Sequence, residues 1–184
     1  MVATLKPSEP LTPDTRLVGE ICTGDDAAFY SFYRRHAQYI AGVAYRLLGN
    51  NSDVDDIVQD TFVTASQKLM SLKEPEYARL WLVKIAVRHS QKRLRSRTRT
   101  HTIQKAVESD IPRKTDMQIS SMLEDLREVL RKIPSKLGEP WILHKLEGLT
   151  IKEVSTACGI SIATVKRRIA SADKKVQKKV NIHV

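Results

Sequence analysis

The sequence has little of what catalytic centres and disulfide frameworks are built from. Its two cysteines, Cys22 and Cys158, lie far apart and in no metal-ligand spacing, which excludes a zinc ribbon and a disulfide-stapled scaffold. Each falls on an apolar helical stripe, so both are expected as buried free thiols in a reducing compartment. His36, His89, His101, His144 and His183 are scattered, no glycine-rich phosphate loop occurs, and no nucleophile stands at a telling distance from a base. No catalytic residue, metal or cofactor is therefore expected. Apolar runs stop short of membrane-spanning length, and the first residues lack a basic segment followed by an apolar one. The expectation is a cytoplasmic protein without membrane insertion.

What the sequence does carry is charge, unevenly spread. The 184 residues hold a net charge of +10, with room for one or two small domains, each with its own core. Residues 1–60 have 5 Lys/Arg against 9 Asp/Glu, residues 61–120 have 13 against 5, and residues 121–184 have 13 against 7. An acidic start and a basic remainder suit one surface for a basic protein partner and two for a polyanion.

Hydrophobic periodicity predicts an all-α chain. Residues 1–14, with Pro7, Pro10 and Pro13, read as a flexible extension. A short helix from Thr15 carries Leu17, Val18, Ile21 and Cys22, and ends at Gly24. Asp25 or Asp26 then caps a long one to Leu48, with Phe29, Phe32, Tyr33, Ile40, Val43, Ala44, Leu47 and Leu48 as its apolar set. After a Gly49-Asn50-Asn51 turn, the helix DVDDIVQDTFVTASQKLMSL buries Val54, Ile57, Val58, Thr61, Phe62, Ala65 and Leu69 and groups Asp53, Asp56, Gln59 and Asp60 on its polar side. Those acids also complement the helix dipole. A metal site is disfavoured, because hard cations need oxygens converging from a turn.

Pro75 breaks the pattern in the loop from Lys73 to Tyr77. Beyond it ARLWLVKIAVRHSQKRLRSRTR turns Leu80, Leu82, Ile85, Ala86 and Leu94 inward and carries Arg79, Lys84, Arg88, Lys92, Arg93, Arg95, Arg97 and Arg99, with Trp81 as its single aromatic. Phosphate backbone is the natural counter-charge, and the indole offers a stacking face to an unpaired base. Residues 99–121 have no sustained period and read as a linker. From Met122 one helix stops before Pro134, and a second is predicted over Glu139 to Glu147 with Pro140 in its first turn. Two small helical domains, 15–98 and 122–184, result.

The stretch from Gly148 to Lys179 reads as a helix-turn-helix. Thr150 and Glu153 form a capping box, Ile151, Val154, Ala157 and Cys158 an apolar stripe, and Gly159 the sharp turn, plugged by Ile160. Ser161 caps a second helix with Val165, Ile169, Ala172 and Val176 on one side. Ala163, Arg167 and Lys174 lie on the other, with Thr164 and Lys166 on the two flanks. A basic helix alone is more often a solvated face; the two caps and the glycine turn favour a recognition helix for the major groove.

In this order, DVDDIVQDTF (Asp53 to Phe62), YARLWLVKIA (Tyr77 to Ala86) and LEGLTIKEVSTACGISIATVKRRIASA (Leu146 to Ala172) make the chain resemble a bacterial RNA polymerase sigma factor of the sigma-70 superfamily, in the extracytoplasmic-function (ECF) group. The resemblance implies that Asp56, Gln59 and Asp60 dock on the β′ clamp helices of core RNA polymerase, with the β flap as a further contact. It assigns Lys73, Tyr77, Leu80, Trp81, Lys84, Arg88, Lys92, Arg93 and Arg95 to the melted minus-ten element of promoter DNA. Ser161, Ala163, Thr164, Lys166, Arg167 and Lys174 go to the minus-35 duplex. The linker would pass through the polymerase toward the RNA exit path, and an anti-sigma factor is an expected partner. Arg88 and Lys92 stand where many small sigma factors have Asn and Asp, and Leu80-Trp81 replaces the tryptophan pair of principal sigma factors. Weaker strand melting and stricter promoter choice follow from the latter. A dimeric operator-binding regulator and a polymerase adaptor that reads no promoter are the competing readings.

Overall fold

A computed structural model describes residues 13–49, 52–103 and 133–180. Among them the chain forms seven α-helices and no strand: α1 Asp14–Cys22, α2 Asp26–Leu48, α3 Val54–Lys68, α4 Ala78–Ile103, α5 Ser135–Lys145, α6 Ile151–Cys158 and α7 Ile162–Val180. Two 3₁₀ turns, Leu69–Ser71 and Pro75–Tyr77, connect α3 to α4. The first four helices make one bundle, with α2 packed on α1, α3 and α4, and the last three make another, with α6 wedged against both α5 and α7.

Local chemistry sets most boundaries. The Asp25 carboxylate accepts from the N–H groups of Ala27 (2.8 Å) and Ala28 (3.1 Å), capping α2, which ends in a left-handed Gly49. Phe32, Ile40, Val43 and Leu82 are fully buried at the centre of the first bundle, and Ile57, Phe62, Ala65 and Leu69 line it from α3 and its 3₁₀ extension. The α3 stripe read from periodicity is buried at every position. In the second bundle Leu143, Val154 and Val165 are buried, one from each helix, with Trp141 against them.

Several expectations need correction. Asp14 does not belong to the N-terminal extension. It opens α1 and accepts from Arg35 (2.7 Å), with His36 Nε2 at 3.0 Å, so it pins α1 to α2. His36 is buried beneath Phe32, and that burial holds its pKa below the ordinary value despite the carboxylate. Cys22, expected inside, is exposed, because it is the last residue of α1 and the chain turns away at Gly24. Cys158 is half-buried. Tyr33 sits at the rim of the core, 38% exposed, with its ring edge-on to Phe62.

α4 runs on to Ile103, past the expected linker start at residue 99. α5 begins at Ser135, four residues before the expected Glu139, so Pro140 lies inside it. Pro134 is the N-cap residue, and its fixed φ presets the entry. The ring of Pro140 is itself buried, which offsets one lost backbone hydrogen bond. The helix expected from Met122 and the rest of the linker lie outside the described residues.

Gly159 takes φ +67° to end α6, whereas Gly19 lies within α1 with open space at its missing Cβ. Opposite responses to one substitution are expected. Gly159→Ala should destabilise by about 1–2 kcal/mol from left-handed strain, and Gly19→Ala should stabilise by about 0.5–1 kcal/mol through helix propensity. Urea unfolding of the two variants checks this; a stabilised Gly159→Ala chain would refute the turn geometry.

Candidate nucleic-acid interface

α6 and α7 cross at a turn that is locked by side chains as well as by glycine. The Glu153 carboxylate accepts from the Thr150 N–H (2.7 Å), while the Thr150 hydroxyl accepts from the Glu153 N–H (3.3 Å). The Thr150 N–H foremost, and then the Thr150 hydroxyl, which donates to the same carboxylate oxygen at 2.8 Å, hold the Glu153 carboxyl below its ordinary pKa. Across the turn the Ile160 N–H donates to the Ser155 carbonyl (3.2 Å) and the Ser155 hydroxyl to the Ile160 carbonyl (2.6 Å). Ser161 caps α7 by accepting from the Thr164 N–H at 3.2 Å, its hydroxyl 2.9 Å from that of Thr164.

Val165, Ile169 and Ala172 face inward along α7, and Ala163, Lys166, Arg167 and Lys174 face water. Ser161 and the half-buried Thr164 are engaged in the cap, so the groups free to reach base edges or phosphates in the first turns are Lys166 and Arg167, beside the small Ala163. The orientation of this face depends on a residue that the sequence reading passed over. The Trp141 indole N–H donates to Asp173 Oδ1 at 2.6 Å, tying α7 to α5. One acid in a basic helix was the available signal.

The second cationic surface lies on α4. Arg88, Lys92 and Arg95 are exposed and share one stripe, by the ~100° step of a helix. Arg93, placed with them by sequence, points the other way. Its Nη2 donates to Asp53 Oδ1 (2.8 Å) and Asp56 Oδ2 (2.7 Å), and Arg97 pairs with Asp53 and donates to the Ser52 hydroxyl. Asp53, grouped by periodicity with the solvent-facing acids, is thus buried. It leaves the N-cap of α3 without a side-chain bond because its carboxylate serves these two guanidiniums. The Arg93 hydrogen bond, followed by the charge of Arg97, keeps its carboxyl well below the usual range against the cost of burial.

Asp56, Gln59 and Asp60 are all exposed on α3. Val63, one turn beyond Gln59 and 49% exposed, extends this face and was missed as an ordinary surface residue. Lys73 and Tyr77 are exposed at the mouth of α4, while Leu80, Trp81 and Lys84 are half-buried. The aromatic most open to solvent here is therefore Tyr77, at 52%. Among the described residues no helix is long and apolar enough to cross a membrane, and no three His, Cys, Asp or Glu converge as metal ligands.

Two helical units, one presenting a capped helix-turn-helix and the other a cationic helix beside an acidic ridge, define an all-helical protein with two cationic faces of the kind suited to a polyanion. Family comparison gives the particular assignment. Residues 32–100 match sigma-70 region 2 and residues 123–176 match sigma-70 region 4. The chain belongs to the sigma-70 family, in its ECF group, and is a promoter-directing RNA polymerase sigma factor. It is 31% identical to the RNA polymerase sigma factor NccH of Alcaligenes xylosoxydans xylosoxydans over 89% of this chain and 92% of that protein. It is 26% identical to the ECF sigma-E factor of Escherichia coli K12, over 94% and 96%. Among solved structures, the sigma factor RpoE from Bartonella quintana, crystallised with the anti-sigma factor NepR, shares the fold at a TM-score of 0.71, with 22% identity over 84% of this chain and 97% of that one. CnrH, solved with the cytosolic domain of CnrY, shares it at 0.67, with 24% identity over 94% and 100%.

The Asp53 pairing carries a pH signature. A carboxyl whose folded pKa is depressed contributes stability that is fully present above its unfolded value, about 3.9, and lost as pH falls through the folded value. Asp53→Asn should therefore cost about 1–2 kcal/mol at pH 7, less than a fully buried pair because both arginines remain partly in water. The deficit should shrink as pH drops below about 4. Unfolding curves across pH 3–7 measure it, and a pH-independent deficit would contradict the ion-pair assignment.

Proposed function

We propose that this sigma factor divides its labour by surface. Asp56, Gln59 and Asp60, continued by Val63, dock on a basic and apolar face of core RNA polymerase. The loop Lys73 to Tyr77 with Leu80, Trp81 and Lys84 takes the unpaired minus-ten strand, and Arg88, Lys92 and Arg95 hold its phosphates. Arg93 is withdrawn from that set and acts within the fold. Lys166 and Arg167, with Ala163 and Lys174 beside them and Ser161 and Thr164 fixing the helix start, read the minus-35 duplex. The observation that carries this reading is the separation of free from engaged cations: Arg88 and Lys92 form no ion pair among the described residues, whereas Arg93 is claimed twice by acids.

The protein acts as a non-catalytic, dissociable subunit in the cytoplasm. An anti-sigma partner is part of the proposal, since two structural neighbours were solved in complexes with an anti-sigma factor or with the cytosolic domain of CnrY. Such a partner would control access to the polymerase and promoter surfaces.

Run-off transcription with purified core polymerase over a promoter library tests the whole assignment, and an absence of promoter-specific initiation would sink it. Lys166→Ala with Arg167→Ala should lower the salt dependence of promoter binding by a slope of about 2 and weaken minus-35 dependence, with core affinity unchanged. Asp56→Ala with Gln59→Ala should abolish core binding while helicity by circular dichroism is kept. An unchanged core affinity would remove the docking role from α3.

A further inference from the structure

Each of the two aspartates on the exposed ridge of α3 is met by a side chain of α4. The two helices pack side by side in opposite directions, so that Asp56 pairs with Arg93 and Asp60 with His89. His89, Arg93 and Arg97 step by four along α4, while Asp60, Asp56 and Asp53 step by four and three back along α3. A ladder results. Arg97 pairs with Asp53, Arg93 donates to Asp53 (2.8 Å) and Asp56 (2.7 Å), and His89 Nδ1 lies 3.7 Å from Asp60 Oδ2. The His89 ring is held at its far side too, with Nε2 3.0 Å from the Thr64 hydroxyl. The carboxylate favours the tautomer with its proton on Nδ1, for which Nε2 accepts from that hydroxyl.

The rungs differ in what they do for the fold. Asp53 is buried, so its two guanidiniums fasten the helices. The Asp56 and Asp60 side chains are 59% and 62% exposed, where an ion pair adds little stability. A carboxylate engaged at one oxygen from within the fold and open to water outside is presented to a partner rather than withdrawn from it. Its engagement removes rotamers that docking would otherwise have to freeze, and it leaves most of the carboxylate's lone pairs for donors on the partner. His89 and Arg93 also lie roughly a third of the circumference round α4 from Arg88, Lys92 and Arg95. Supporting α3 therefore uses none of the cations on the stripe that faces phosphate.

We infer that His89 and Arg93 are positioning residues for docking on core RNA polymerase: from α4 they hold Asp60 and Asp56 in the rotamers that the polymerase meets. This rests on the docking role proposed above for α3. It makes the helix that faces the minus-ten strand the support of the docking ridge as well.

His89 gives the cleaner test, because Arg93 also serves Asp53. Affinity of the full-length chain for purified core polymerase is read by fluorescence anisotropy. His89→Ala should weaken core binding by about fivefold, the scale of freeing one side chain, while the melting temperature and the affinity of the free chain for minus-ten fork DNA stay unchanged. His89→Gln, whose amide can donate to Asp60 and meet Thr64, should recover most of that loss. In an Asp60→Ala chain, itself weakened, His89→Ala should bring no further loss, since the two side chains act as a pair. If Asp60→Ala is weakened and His89→Ala binds as wild type, the positioning role is overturned and the docking role of α3 stands. An equal loss from His89→Ala with and without Asp60 would also overturn it, as a general effect on packing. Wild-type affinity in Asp60→Ala would remove Asp60 from the docking ridge, and the role of His89 with it.

Discussion

The burial of α4 on two sides is the constraint from which the other features follow. Placing Leu82 at 0° on a helical wheel, Ala86, Ser90, Val83 and Val87 follow between about 40° and 140°, all buried, and Gln91 and Lys84 are half-buried near 180–200°. Ile85 is buried on the other flank of Leu82. A surface helix commonly hides a stripe of a little over 100°; α4 hides nearly twice that, because α2 and α3 cover one side and α6 the other. A helix with this density of arginine and lysine folds because its apolar residues are buried on both sides, and because α3 supplies counter-charge inside the protein. What remains for an external polyanion is a narrow stripe.

Counter-charge then divides the cations by role. Asp53 and Asp56 claim Arg93, and Asp53 also claims Arg97, so these arginines fasten α3 to α4. Arg88 and Lys92 have no such partner among the described residues. The same logic operates in the second bundle, where Asp173 accepts from Trp141 and fixes the tilt of α7 without neutralising Lys166 or Arg167. Acids here position basic helices, and the cations they leave free are those that can exchange water for phosphate.

The junction between the two bundles, where α4 meets α6 and α2 meets α5, joins polar contacts to apolar ones. An obligate interface is predominantly apolar; this one adds the buried Glu147 side chain, paired with Arg46, and the half-buried Glu139 to a continuous core. Burial raises the pKa of Glu139 and pushes up the neighbouring Cys158 thiol, which makes that cysteine a packing residue in the junction and a poor nucleophile.

The sequence by itself determined the class of protein and most of the described helices. The α3 stripe, the Thr150–Glu153 box, the Gly159 turn and the Ser161 cap are short-range chemistry, with every partner within a few residues, so periodicity and capping rules were sufficient to place them. The exposed ridge Asp56, Gln59 and Asp60 was legible for the same reason. What needed tertiary structure were pairings between residues far apart in the chain. Asp14 with His36, Asp53 with Arg93, Trp141 with Asp173 and Arg46 with Glu147 leave no periodic trace, because a charged or polar side chain has the same pattern whether it meets water or a partner. Only the packing decided that Asp53 points inward, that Arg93 is engaged within the fold, and that two domains written as separate units share one core.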